Sequence, residues 1–281
     1  MKVEGWGRTG AVNATLVSIS DATRFANSLR ARPLKTQVIP RGNGRSYGDQ
    51  ALTEGVIWSS RRLDHFLSFD AETGVLEVES GVTLGEIQRL FMGQGWSLAV
   101  TPGTQFVTVG GAVANDIHGK NHHSHGTFGE HLLSLKLLRT SGELFECSKS
   151  TNAQMFRATI GGLGLTGLIA SVSLQLRKVA SPWIAAETLV FASTREFFDQ
   201  TAQSADHEFT VSWLDIKSNS VRGLFNRGDL APQQDFAEPK GLSVAVPLVP
   251  PFSLINRLTR RPLASAYNWL GVRGSGHSIA H

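Results

Sequence analysis

The chain has 281 residues, 41% of them hydrophobic and 18% charged, with 27 basic against 23 acidic side chains and a net charge of +4. That balance is ordinary for a globular protein long enough to hold more than one domain, and it excludes a disordered chain. The small net charge gives no reason to expect a nucleic-acid partner.

Taken in chain order, residues 1–34 read as a short arm and a helix. Asp21 caps that helix, and Phe25, Leu29 and Leu34 form its apolar face. Gln37–Pro40 and Val56–Ser59 read as short strands. Val75–Glu79 alternates with period two and reads as a half-buried strand. Thr83–Gln94 reads as a helix, with Leu84, Ile87, Leu90 and Phe91 on one side. Leu98–Val100 is a further short strand. Leu132–Arg139 and Glu143–Cys147 flank Thr140-Ser141-Gly142 as a hairpin. A short helix over Thr151–Ala158 and a long strand over Leu168–Lys178 follow.

A domain boundary is expected near Ser181-Pro182. Beyond it a strand (Ile184–Phe191), a helix (Thr194–Ser204) and two strands (Phe209–Ile216, Ser220–Asn226) form a second α+β unit. Residues 227–281 lose periodicity and hold six of the ten prolines. No closing helix or strand is visible there, so the second domain reads as unfinished. The apolar stretch 242–255, broken by three prolines, reads as an irregular loop, a groove lining or a surface resting on a membrane.

No run of about 18 apolar residues suggests a membrane span. No basic-then-apolar signal peptide opens the chain. A cytoplasmic protein, or one peripheral at the inner membrane, is expected. Cys147 is the single cysteine, so no intrachain disulfide can form. Within a strand-like stretch it reads as a small core residue.

Two glycine-rich stretches carry the chemistry. In Arg41-Gly42-Asn43-Gly44-Arg45-Ser46-Tyr47-Gly48-Asp49, three glycines free the backbone to curl, so that successive N–H groups make a nest for a pyrophosphate. Arg41 or Arg45 adds positive charge and Ser46 a hydroxyl. The plainer alternative is a glycine turn without a ligand. The second stretch runs over Thr101–Lys120. Its Gly110-Gly111-Ala112 is small enough to lie against a planar ring. Val109–Ala114 opens a short helix whose first N–H groups face an anion, or one packed tightly on a strand. Neither loop has the Rossmann or Walker A spacing, so a nucleotide on another fold is indicated.

Five of the nine histidines fall in 118–131. With no cysteine partner and no His-Glu-x-x-His motif, they read as a polar active-site lining that includes Lys120, and no metal is expected.

The two loops and their spacing resemble the FAD-binding proteins of the vanillyl-alcohol oxidase and p-cresol methylhydroxylase type, nearest to the decaprenylphosphoryl-ribose oxidase branch. The residues that carry the likeness are Gly5-Trp6-Gly7-Arg8-Thr9, the Arg41–Asp49 loop, Pro102-Gly103-Thr104, Thr108–Ala112, Asp116–His123 and Gly161–Gly167. The resemblance implies an α+β fold: a two-subdomain FAD-binding domain over 1–180, then the N-terminal part of a substrate domain over 181–281.

It further implies that Pro40–Gln50, with Arg41, Gly42, Asn43, Gly44, Arg45, Ser46, Tyr47, Gly48 and Asp49, wraps the FAD pyrophosphate. Gly103, Thr108, Val109, Gly110, Gly111, Asn115, Asp116, Ile117 and His118 hold the ribityl chain and flavin. Ile169 touches the adenine end or the chain beside it. Lys120 and His118 line the substrate side, and Trp213 faces it from the second domain. Arg45 stands where covalent members have histidine, so non-covalent FAD is expected. The implied reaction is oxidation of a sugar secondary alcohol, on a sugar or lipid-linked sugar phosphate. A reductase partner and peripheral membrane contact go with it.

Overall fold

The computed structural model describes residues 1–32, 36–217, 220–231, 256 and 258–280. Leu34 and the stretch 242–255 lie outside the described residues. The chain is mixed α/β and divides into two compact units, Met1–Lys178 and Val179–His281.

The first unit opens with a hairpin of β1 (Lys2–Glu4) and β2 (Ala11–Asn13), in which Val3 faces Val12. Next come β3 (Thr15–Ser18), α1 (Ala22–Ala31), β4 (Val38–Arg41) and β5 (Val56–Ser59). Their strands form a parallel sheet in the order β3-β5-β4. Helix α1 joins β3 to β4, the two outer strands, and β5 enters between them. Asp21 caps α1, accepting from the Arg24 N–H at 2.8 Å. Its inner face buries Ala26 and Leu29 against Trp58 of β5, whose indole meets Phe25 edge-on.

The chain continues through β6 (Phe66–Asp70), β7 (Val75–Glu79), α2 (Leu84–Phe91), β8 (Trp96–Ser97), α3 (Val109–Ala114) and α4 (His122–His125). It ends the unit with β9 (Leu132–Leu138), β10 (Leu144–Ser148), α5 (Ala153–Thr159), β11 (Leu168–Gln175) and β12 (Arg177–Lys178). An antiparallel sheet runs β10-β9-β11-β7-β6. The main core lies on this sheet, where α2 and α3 bring Leu84, Ile87, Phe91, Val109 and Val113 onto Leu76, Val78, Leu135 and Val172. Burying each large aliphatic or aromatic side chain contributes about 1.5–3 kcal/mol. A capping box starts α2: Thr83 accepts from Glu86 N–H, and the Glu86 carboxylate accepts from Thr83 N–H at 2.7 Å.

In the second unit, β13 (Ile184–Phe191), α6 (Thr194–Gln203), β14 (Phe209–Lys217), β15 (Ser220–Leu230), α7 (Arg260–Arg273) and β16 (Gly276–Ala280) follow. Their antiparallel sheet has the order β14-β15-β13-β16.

Several expectations shift. The α2 face is Leu84, Ile87 and Phe91, while Leu90 is 48% exposed because it falls one residue round the helix from the core stripe. Leu98–Val100 is buried but not a strand: the Leu98 N–H goes to the Gln88 side chain, and the ladder forms at Trp96–Ser97 instead. The long strand breaks at Leu176 into β11 and β12. The absence of a closing element is corrected: α7 forms despite Pro262 in its first turn, where a missing N–H costs nothing, and β16 pairs with β13.

Candidate functional site

The first glycine loop leaves the end of β4 at Arg41 and crosses in front of α3. Its hand is fixed at Gly44, whose φ is +62° and where a Cβ would strike the Arg41 guanidinium. The N-terminal arm holds its outer side: Trp6 N–H donates to Ser46 O at 3.0 Å, and Arg41 Nη2 donates to Glu4 O at 2.7 Å. The second stretch meets it from across. Asn43 Nδ2 donates to Phe106 O at 3.0 Å, and a Cβ on Gly42 would strike the Thr108 hydroxyl. The two turns therefore converge.

Between them lies a cavity of about 750 Å³, within the range for cofactor pockets. Of the sequence-predicted cofactor residues, Arg41, Gly42, Asn43, Gly44, Arg45, Ser46, Tyr47 and Gly48 line it. So do Gly103, Thr108, Gly110, Gly111, Asn115, Ile117 and Ile169. Asp49 is outside the lining, and Val109 is fully buried in the core. Asp116, at φ +42°, turns its carboxylate to the Gly129 N–H at 2.9 Å. His118 and Lys120 are exposed and outside the lining, with the His118 ring 5.6 Å from that of His122. Trp213 belongs to the second unit, its ring 4.8 Å from that of Tyr267. The histidines of 118–131 form no group of three close ligand atoms among the described residues; Asp64, His65 and Glu79 do, at the surface.

The amides separate the two loops chemically. Among the described residues, none of the N–H groups from Gly42 to Gly48 donates to another protein group. The start of α3 is the opposite case. Val109 N–H goes to Val82 O and Gly110 N–H to Ser80 O, both at 2.8 Å, and Gly111 N–H goes to the Thr108 hydroxyl at 3.3 Å. The expectation of an anion at that helix start is corrected: tight packing on β7 and its following turn takes those donors. What α3 offers the cavity is its glycine surface.

Three buried polar atoms of the lining have no protein partner: Arg45 Nε, Gln50 Oε1 and Ser80 Oγ. An orphaned buried group costs about 1–3 kcal/mol, so these positions suit a polar ligand. Arg41 donates only to backbone carbonyls, and burial pushes its guanidinium below the ordinary arginine value. An anion placed there would restore what burial costs that cation.

Trp6, Ser80, Phe106 and Leu163 also line the cavity, although sequence reasoning gave them no role. Trp6, set between Gly5 and Gly7, was the one with a local signal. Leu163 holds φ +53°, kept there by its N–H to Ala114 O at 2.8 Å.

A nest of unbonded amides, two arginines and a small-residue wall together suit a nucleotide diphosphate carrying a flat ring system. Residues 14–148 match the model of the FAD binding domain family. The chain is 33% identical to decaprenylphosphoryl-beta-D-ribose oxidase of Mycolicibacterium smegmatis, over 95% of this chain and 62% of that protein. It is 35% identical to an uncharacterized protein of Streptomyces coelicolor, over 66% of this chain and 46% of that one. It is 27% identical to L-gulonolactone oxidase of Bos taurus, over 62% of this chain and 40% of that enzyme. Over residues 14–148 the chain is thus similar to the FAD-binding domain of this family, and FAD is the cofactor that this likeness supports. The chain spans between 40% and 62% of the length of these relatives.

No helix among the described residues is long and apolar enough to cross a membrane.

Proposed function

We propose that this protein is an FAD-dependent oxidoreductase that oxidises a secondary alcohol of a sugar, of the polyprenyl-phosphoryl ribose type, to a ketone. The observation that carries the reading is the run of N–H groups, Gly42 to Gly48, left without protein acceptors beside Arg41 and Arg45. In this reading Arg41–Asp49 holds the pyrophosphate, and Gly103, Thr108–Gly111 and Asn115–His118 hold the ribityl chain and ring. Ile169 packs at the adenine end. Residues 1–180 serve as a two-subdomain cofactor domain, and 181–281 as part of a substrate domain.

The chemistry the flavin supplies when bound is acceptance, at N5, of the hydride from the alcohol carbon. The chain's own residues do the rest. Lys120 steadies the developing alkoxide or a substrate phosphate, and His118 lies beside it on the substrate side. Trp213 is a further residue for substrate contact in this reading. No histidine stands in the first loop at Arg45, so the cofactor is held without a covalent bond.

A second reading has support in the likeness to L-gulonolactone oxidase: a small-polyol or aldonolactone oxidase of the same family. A third reading is a chain that binds FAD without turnover, for which the position of Lys120 and His118 outside the cavity lining speaks. The first reading also brings a short-chain reductase partner and peripheral membrane contact.

An absorbance spectrum of the purified chain tests the cofactor, and anaerobic bleaching by a panel of donors tests the reaction. Bleaching by a lipid-phosphoryl ribose supports the first reading. Bleaching by free lactones or polyols supports the second. Flavin that no donor bleaches leaves the third, and a colourless protein that takes up no added FAD overturns all of them.

A further inference from the structure

At the mouth of the cavity three segments distant in sequence meet in one stack. The Arg45 guanidinium lies 4.7 Å from the centre of the Trp6 ring and 5.0 Å from that of Phe106. Trp6 comes from the N-terminal arm, Arg45 from the first glycine loop and Phe106 from the second. All three line the cavity, yet Trp6 is 57% and Phe106 51% exposed, which puts the rings at its rim.

Apolar burial does little to explain two half-exposed aromatic rings held at a cavity edge, because about half of each stays in water. Their arrangement does join the segments that enclose the cavity. Trp6 N–H to Ser46 O and the Asn43 side-chain amide to Phe106 O tie the same three segments by hydrogen bonds. Arg45 Nε is buried in the lining with no protein partner.

We infer that Trp6, Arg45 and Phe106 form a non-covalent clasp that sets how long the flavin nucleotide stays bound. The inference rests on the FAD reading above and adds a role for Trp6 and Phe106, which that reading leaves idle. The side chains close the rim by cation–π attraction, and a bound nucleotide leaves when the stack opens. Arg45 Nε, buried without a protein acceptor, leaves the stack itself to hold the guanidinium at the rim. Because the rings are exposed, the clasp contributes little to folding and acts mainly on dissociation.

The test is FAD release from the full chain, followed as recovery of flavin fluorescence after large dilution, with the melting temperature of the flavin-free protein measured alongside. Trp6→Ala and Phe106→Ala are each expected to release FAD about fivefold faster, the factor that loss of one such contact corresponds to. Trp6→Phe, which keeps a ring, should stay near wild type, and all flavin-free melting temperatures should agree closely. Release from Trp6→Ala at the wild-type rate would overturn the clasp while leaving FAD binding intact. So would faster release matched by an equally large loss of flavin-free stability, with Trp6→Phe as fast as Trp6→Ala. A wild-type chain that takes up no FAD would instead end the cofactor reading, and the clasp with it.

Discussion

Gly42 and Thr108 are where the convergence of the two loops can be measured without any ligand. Thr108 is 2% exposed and caps α3, accepting the Gly111 N–H on its hydroxyl. A Cβ at Gly42 would strike that hydroxyl and come within 3.2 Å of both Thr108 Cβ and Cγ2. Gly42→Ala must therefore push the first loop outward or rotate Thr108 off its cap. Overpacking of this kind costs about 1–3 kcal/mol and loss of an N-cap about 1 kcal/mol, so about 2 kcal/mol is expected. For a chain of this size that lowers the melting temperature by about 5 °C. Thr108→Ala alone loses only the cap, about 1 kcal/mol, or about 3 °C. In the double variant the hydroxyl and Cγ2 are gone and only the Cβ contact at 3.2 Å remains, so its cost should lie near that of Thr108→Ala rather than at the sum, a coupling of up to about 2 kcal/mol. Differential scanning calorimetry on the four flavin-free proteins measures the cycle. A double variant that melts at the additive value would mean that these residues do not touch, and the two-loop site would lose its geometric basis.

Three other expectations are open to direct measurement. Gly103 lines the cavity, and a Cβ there meets no protein atom within 4 Å. Gly103→Trp should leave the flavin-free melting temperature unchanged and abolish the visible flavin band of the purified protein. His65 Nδ1 lies 2.7 Å from Glu79 Oε2, and that hydrogen bond, with the carboxylate's charge, raises the imidazole pKa. A raised folded-state value means that its stabilisation is fully present below the unfolded-state value and is lost as pH climbs through the folded one. NMR titration of Glu79→Gln should bring His65 back toward its ordinary value. Burial pushes the Cys147 thiol up, so a thiol reagent at mildly alkaline pH should react slowly with the native protein and quickly after urea unfolding.

Local signals made much of the fold legible. Asp21 and the Thr83/Glu86 pair announce α1 and α2, because a cap is a contact between residues three apart in sequence. Val56–Ser59 and Ile184–Phe191 are compact runs of strand-forming residues, and both are strands with those bounds. The elements that escaped lack such a signal. Phe66–Asp70 is an edge strand with little burial, so no alternation marks it. No described residue of α7 is buried, leaving no apolar stripe to read, and β16 exists through its pairing with β13 far away in the chain.

The same division decides what could be read of the site. Glycines at 42, 44 and 48 show that the chain turns there, but a turn becomes an anion nest only if nothing else takes its amides. That is a non-local fact. At α3 the acceptors are Ser80 O and Val82 O, which lie more than twenty residues upstream and reach the helix start through β7 and its following turn. At the first loop, the facing wall accepts the Asn43 side-chain amide at Phe106 O and presents the Thr108 hydroxyl, but takes no backbone donor. Two glycine loops of similar appearance thus play different parts: one presents polar donors and the other a smooth surface. A ligand with a charged centre and a flat end fits that asymmetry, and a compact anion such as free phosphate would leave the glycine wall of α3 without a partner.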